Sequence, residues 1–161
     1  MRFAMPGADW MLALDDDVLR MFRSRAHFDT RSSESVGQPY TPSLASRKVL
    51  IHTATVLRPK HASRARVVID KRVADSERAQ MFEHGMHCAG VWHTHPEARP
   101  YPSADDIKLA DDYAKAAARA GLAGIVFIIV GTAVFPEGLY VGVHDGGTMH
   151  SASHLASNEL C

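Results

Sequence analysis

The sequence predicts one mixed α/β (α+β) domain, on three observations. Apolar positions recur at strand spacing in some stretches and at helix spacing in others. At 161 residues, with 46% hydrophobic and 22% charged, the chain can bury a full core without disulfide support. No repeat, heptad run or linker divides it.

Taken in order, Trp10, Leu12 and Leu14 alternate as a short strand, and Asp15 offers an N-cap to a helix carrying Val18, Leu19, Phe22 and Ala26. From Phe28 to Arg47 the composition shifts to Ser, Thr, Pro and Gly, which predicts loop with a short strand near Glu34. Val49 to Leu57 and Ala65 to Ile69 read as two strands of a hairpin, joined by a flexible basic loop from Arg58 to Arg64. A second helix is predicted over Val73 to His84, closed by Gly85, and a strand over Cys88 to His93. Ser103 caps the clearest helix, whose apolar face is Ile107, Ala110, Ala114 and Ala117. Ile125 to Val130 and Leu139 to Val143 are the last two strands, and the domain is expected to span 1–145 with 146–161 a flexible C-terminal tail.

Composition excludes several functions. Lys plus Arg and Asp plus Glu both number 18, so there is no field to attract nucleic acid or an anionic membrane. Cys88 and Cys161 are too few for a disulfide framework, which points to a reducing compartment. The N-terminus lacks a secretory core, and the uncharged run from Ala120 to Pro136 is shorter than the roughly 20 residues a membrane span needs. A cytoplasmic location is the expectation. Ten histidines raise the prospect of metal or acid–base chemistry.

That prospect sharpens at Gly90-Val91-Trp92-His93-Thr94-His95. Two histidines separated by one residue leave the same face of a strand. Eight residues after His95 comes Ser103, with Asp106 three further on. If the Pro96 to Pro102 loop folds back, Asp106 joins His93 and His95 as a third ligand, leaving one tetrahedral zinc position open to water. Ser103 and Asp106 also form an ordinary capping box, and that role alone accounts for them in most helices. It does not account for an H-x-H at this interval, and a helix N-terminus favours an anionic ligand anyway.

His93-Thr94-His95-Pro96 followed by Pro102-Ser103 and Asp106 resembles the JAMM motif of the MPN/JAB (MPN+) metalloprotease family. The fuller string WHTHPE and P-x-PS-x-x-D is similar to its bacterial branch, which includes JAB isopeptidases of CBASS (cGAS-like) and Bil anti-phage operons. The resemblance covers roughly residues 10 to 143. It implies a curved mixed sheet flanked by helices and one Zn2+ held by His93, His95 and Asp106. It implies hydrolysis of the bond after the C-terminal tail of a ubiquitin-like protein, or of a ubiquitin-like-modified target made by operon-encoded activating and conjugating enzymes.

The family also implies a glutamate acting as general base on the zinc-bound water. Glu34-Ser35-Val36-Gly37-Gln38 resembles its E-x-G-G-Q, with Val36 in place of a glycine and Pro39-Tyr40 where an apolar strand usually continues. Glu97 is assigned to the metal loop, Glu77 and Glu83 to a solvated helix, and Glu137 and Glu159 follow the motif. Ser103 is the expected oxyanion donor. Cys88 is expected to be a small buried residue and Trp92 core, while His52, His84, His87, His144, His150 and His154 have no partners at ligand spacing. The segments from Gln38 to Arg47 and from Arg58 to Arg64 are expected near the metal. Two other functions fit the same residues: a zinc hydrolase of small amino-acid or carrier-protein conjugates, and an inactive MPN scaffold, which the intact ligand set disfavours.

Overall fold

Ile125–Val130 reads IVFIIV and has no polar position to offer to water, so it must be covered on both faces. In the computed structural model, which describes residues 1–26, 34–63 and 66–156, all six residues are buried. The chain runs β1 (Arg2–Ala4), β2 (Met11–Leu14), α1 (Asp16–Arg25), β3 (Val36–Gly37), β4 (Pro39–Thr41), β5 (Lys48–Ile51), β6 (Thr53–Ala54), β7 (Pro59–Ser63), β8 (Arg66–Ile69), α2 (Lys71–Glu83), β9 (His87–Cys88), β10 (Gly90–Thr94), α3 (Ala104–Arg119), β11 (Ile125–Val130), β12 (Leu139–His144), β13 (Met149–Ser151) and β14 (Ser153–His154).

The largest sheet has the order β13-β12-β11-β10-β3, in which only β10 and β11 are parallel, joined by α3. A second sheet, β14-β1-β2-β5, contains the parallel pair β2 and β5. The small sheet β6-β4-β9 and the hairpin β7-β8 complete the mixed α/β fold that the sequence predicts.

Period-two alternation then decides what each strand face meets. Val126, Ile128 and Val130 of β11 join Val18, Leu19 and Phe22 of α1 in one core. Ile125, Phe127 and Ile129 join Ala110 and Ala114 of α3 in another. Along β10, Trp92 faces α1 and stacks on Phe22, with ring centroids 5.0 Å apart. Val91 and His93 therefore face α3, and His93 meets the Phe127 ring edge-on at 5.4 Å. Strand parity thus delivers His93 to the helix that carries Asp106.

The helix boundaries follow their caps. The Asp15 carboxylate accepts from Asp17 N–H, as its N-cap role requires. Helix α2 starts before the predicted Val73 because the Asp70 carboxylate accepts from Arg72 N–H. It ends where Gly85 takes φ +74°, a left-handed conformation that glycine adopts without cost.

Three expectations need correction. Val49 to Leu57 does not form a hairpin with β8; it divides into β5, which pairs with β2, and β6, which pairs with β4. The hairpin forms instead between β8 and Pro59–Ser63, inside the segment expected to be loop, while residues 64 and 65 lie outside the described residues. The tail is tied down: β13 pairs with β12 and β14 with β1, so 149–154 closes two sheet edges. Its polar composition misled because edge strands keep a solvent side. Residues 157–161 lie outside the described residues, as does the 27–33 part of the predicted loop.

Strand β3 passes close to the segment that follows β6. A Cβ on Gly37 would sit 1.8 Å from Thr55 O and 2.6 Å from Trp92 Nε1, which itself donates to that oxygen at 2.9 Å. Gly37→Ala should therefore cost about 3 kcal/mol, read as a lowered denaturant midpoint with an unchanged slope. A midpoint equal to wild type would show that β3 is not held there.

Candidate metal centre

Strand pairing carries the chain past β10, since His95 N–H donates to Val130 O at 2.8 Å. The following loop turns back because Thr132 N–H and Ala133 N–H donate to Glu97 O and Ala98 O, each at 3.0 Å. Gly131 permits this approach: a Cβ there would lie 2.5 Å from Glu97 O. The chain then enters α3 beside the two histidines.

At the helix start both readings of Ser103 and Asp106 hold at once. Ser103 Oγ accepts from Asp106 N–H at 3.2 Å, and Asp106 Oδ2 accepts from Ser103 N–H at 2.7 Å, a complete capping box. The same carboxylate faces the histidines, with Oδ1 2.8 Å from His93 Nε2 and Oδ2 3.3 Å from His95 Nε2. The two Nε2 atoms are 3.0 Å apart.

These residues fit a metal ion. The ligand atoms of His93, His95 and Asp106 all lie within 4.8 Å of one another. Tetrahedral Zn–N bonds of about 2.0–2.1 Å place ligand atoms roughly 3.3 Å apart, close to the separations found. Two imidazole nitrogens and a carboxylate converging in a buried place offer three lone pairs to one point, a need that a cation meets. Glu97 Oε2 is 3.2 Å from His95 Nδ1, which holds the proton on that nitrogen and leaves Nε2 to coordinate. His93 Nδ1, by contrast, is buried and has no hydrogen-bond partner among the described residues.

Burial works to raise Asp106, yet hydrogen bonds from His93 and His95 outweigh it and hold the carboxyl well below its usual range. Burial pushes His93 down, toward the neutral form in which an imidazole ligates a metal. Burial also opposes the charged form of His95, but its contacts with Asp106 win and raise it.

Glu34 opens into the same cleft, a cavity of about 940 Å³ whose wall includes His93, His95, Ser103 and Asp106. Burial pushes its carboxyl up to about 7, partly offset by His95 and reinforced by Asp106 and Glu97. The departure at Val36 does not displace it. Val36 is fully buried, lies opposite His93 in the β3–β10 pair, and accepts from Leu57 N–H at 2.8 Å. Pro39-Tyr40 leaves β10 to form β4, which pairs with β6 and β9.

The remaining sequence assignments sort as follows. Trp92 is fully buried, as expected. Cys88 is half-buried, its thiol pushed up to about 11 by burial while it donates to Gly90 O, and it stands outside the metal cluster. His144 is buried and its Nδ1 accepts from Gly146 N–H, and His150 pairs with Asp145 at 2.7 Å. In the first segment expected near the metal, Leu44 to Arg47 line a separate cavity of about 500 Å³, whereas Val68 and Ile69 of β8, beyond the expected Arg58 to Arg64, line the cleft.

Glu77, expected on a solvated face of α2, is instead held by three donors. Its Oε1 accepts from Gln38 Nε2 and Tyr40 OH, both at 2.9 Å, and from Thr55 Oγ1 at 2.6 Å. Ala74, Glu77 and Arg78 share one helical face, and Ala74 is the buried residue of α2, so the spacing held the missed signal.

The family of prokaryotic homologs of the JAB domain matches residues 32–140, a span that contains Glu34 and the whole histidine and aspartate cluster. The chain belongs to this JAB-domain family. No curated protein matches the chain by sequence. Among solved structures, protein DSY2949 from Desulfitobacterium hafniense superposes with a TM-score of 0.65 at 17% identity, covering 88% of this chain and 89% of that one. That likeness shows a shared fold.

If this JAB domain binds metal through the three side chains, Asp106→Ala should lose it, as read by elemental analysis beside a circular dichroism check on α3. Glu97→Gln should keep the fold but weaken metal affinity about tenfold in a chelator competition. Full metal in the Asp106 variant would remove the site.

Proposed function

We propose that this JAB domain is a zinc-dependent isopeptidase or peptidase that hydrolyses the bond after the C-terminal tail of a ubiquitin-like protein. The observation that carries the reading is the joint occupation of one cleft by Glu34, Ser103 and the His93, His95 and Asp106 ligand set. Zn2+, when bound there, supplies a polarising charge and lowers the pKa of a coordinated water toward about 7.

The chain's own groups do the rest. Glu34 takes the proton of the attacking water and returns it to the departing amine. Ser103 Oγ already accepts from Asp106 N–H, so its own hydrogen remains to be donated to the tetrahedral oxyanion. Val68 and Ile69 place β8 along the cleft, and among the described strands β8 pairs with β7 alone. An extended tail can add to its other edge through main-chain hydrogen bonds, which give affinity with little sequence choice. Selectivity then comes from a passage that admits only small residues before the scissile bond and from contacts to the globular ubiquitin-like body.

The setting we infer is a bacterial anti-phage ubiquitin-like conjugation system in the cytoplasm, by CBASS-type deconjugation or Bil-type processing. The test is incubation of the zinc-loaded protein with a ubiquitin-like protein encoded beside it, fused to a reporter. Glu34→Ala should keep zinc and abolish cleavage, and Ser103→Ala should slow it roughly 100-fold. Leu in place of the residue before the cut should block it, and a free tail peptide should be cut far more slowly than the intact fusion, because remote binding energy is then lost. Equal rates for peptide and fusion would overturn the substrate, and wild-type rates for the Glu34 variant would overturn the base.

A further inference from the structure

Residue 94 lies between the two histidine ligands, and its side chain is spent on the strand that carries Glu34. In the antiparallel β3–β10 pair, Trp92 faces Gly37 and His93 faces Val36, so Thr94 comes opposite Ser35. Thr94 N–H donates to Ser35 O at 2.9 Å. The reciprocal bond is made by a side chain: Ser35 N–H donates to Thr94 Oγ1, also at 2.9 Å. Thr94 is 1% exposed and Ser35 half-buried, so the pair exchanges hydrogen bonds on the buried side of the strand edge.

The position matters because β10 ends here. Beyond Thr94 the chain turns into the metal loop, with His95 N–H committed to Val130 O on the other side. Ser35 directly follows Glu34 and precedes β3, which is itself only two residues long. A two-residue strand is weakly held by its own ladder, and Thr94 extends that grip by one residue, up to the base.

We propose that Thr94 is a positioning residue that clamps Ser35 through its hydroxyl and thereby fixes Glu34 against the metal cluster. The inference rests on the base role given to Glu34 above. The threonine between the ligands couples two things that hydrolysis needs in register: the strand that presents the imidazoles and the strand that presents the proton acceptor. A base displaced by about 1 Å can cost on the order of 100-fold in rate, so one hydrogen bond has a large lever.

The experiment compares wild type with Thr94→Val, Thr94→Ala and Thr94→Ser. Val keeps the shape and removes the hydroxyl, Ala removes it without pressing a methyl on the Ser35 amide, and Ser retains it. Amide exchange at Ser35 should quicken at least about tenfold in the Val and Ala forms and stay slow in the Ser form, following loss of one buried hydrogen bond of about 1–2 kcal/mol. In protein loaded with Co2+, all forms should hold one ion, while paramagnetic broadening of the Glu34 carboxyl carbon should weaken in Val and Ala alone. With the ubiquitin-like fusion, kcat should fall about 10- to 100-fold in Val and Ala at nearly unchanged KM, with Ser recovering most of the rate. Unchanged Ser35 exchange and Glu34 broadening in both hydroxyl-free forms would overturn the proposal, as would loss of Co2+, which would make Thr94 a support for the ligands instead. A wild type inactive on the fusion would overturn the proposed substrate, and the exchange and broadening results would still decide the role of Thr94.

Discussion

One carboxylate carries two structural obligations in this protein. Asp106 Oδ2 closes the capping box by accepting from Ser103 N–H, while Oδ1 lies 2.8 Å from His93 Nε2. The duties reinforce each other, because the N-terminal end of a helix stabilises a negative charge and the cap fixes the rotamer that aims it. The histidines then hold the carboxyl in its ionised form against the cost of burial. Without that side chain α3 would lose one half of its capping box, the bond from Ser103 N–H, and the two imidazoles their anionic partner, so one carboxylate serves both the helix start and the candidate metal centre.

The sheet explains why the partners arrive at one place. β10, α3 and β11 form a parallel crossover unit, and the site lies at the carboxyl end of β10 where the following loop leads into the helix, a usual location for sites in sheets with parallel strands. β3 runs antiparallel on the outer side of β10 and brings Glu34 in from a distant part of the sequence. Farther along the same segment, Gln38 and Tyr40 are anchored to Glu77 of α2. That network seats the β3–β4 segment on the helix, with Gly37 making room for Thr55 and Trp92.

Much of this was legible in the sequence, for identifiable reasons. The α1 and α3 caps, the buried IVFIIV strand and the convergence of His93, His95 and Asp106 follow from local periodicity and spacing, which act within one or two elements. What escaped reading depends on pairing between distant segments. The polar stretch 149–154 becomes two strands because two sheet edges stand ready to receive it. Val49 to Leu57 breaks into two strands because β2 and β4 each claim a part. For Glu77, spacing from Ala74 marks the inward face of α2, but its three donors, Gln38, Tyr40 and Thr55, come from distant segments that helical spacing cannot name. At Val36, where the family pattern has a glycine, the side chain goes into the core beside α3, on the sheet face of His93 opposite it.

The central claim is that two imidazoles and one carboxylate hold a single catalytic Zn2+ and leave a position for water. X-ray absorption at the zinc edge of the metal-loaded protein tests it most directly. The account predicts four light scatterers at about 2.0–2.1 Å, two of them with the multiple-scattering pattern of imidazole, and no sulfur near 2.3 Å. A sulfur shell, which would bring in a cysteine, or a six-oxygen shell without imidazole would contradict it.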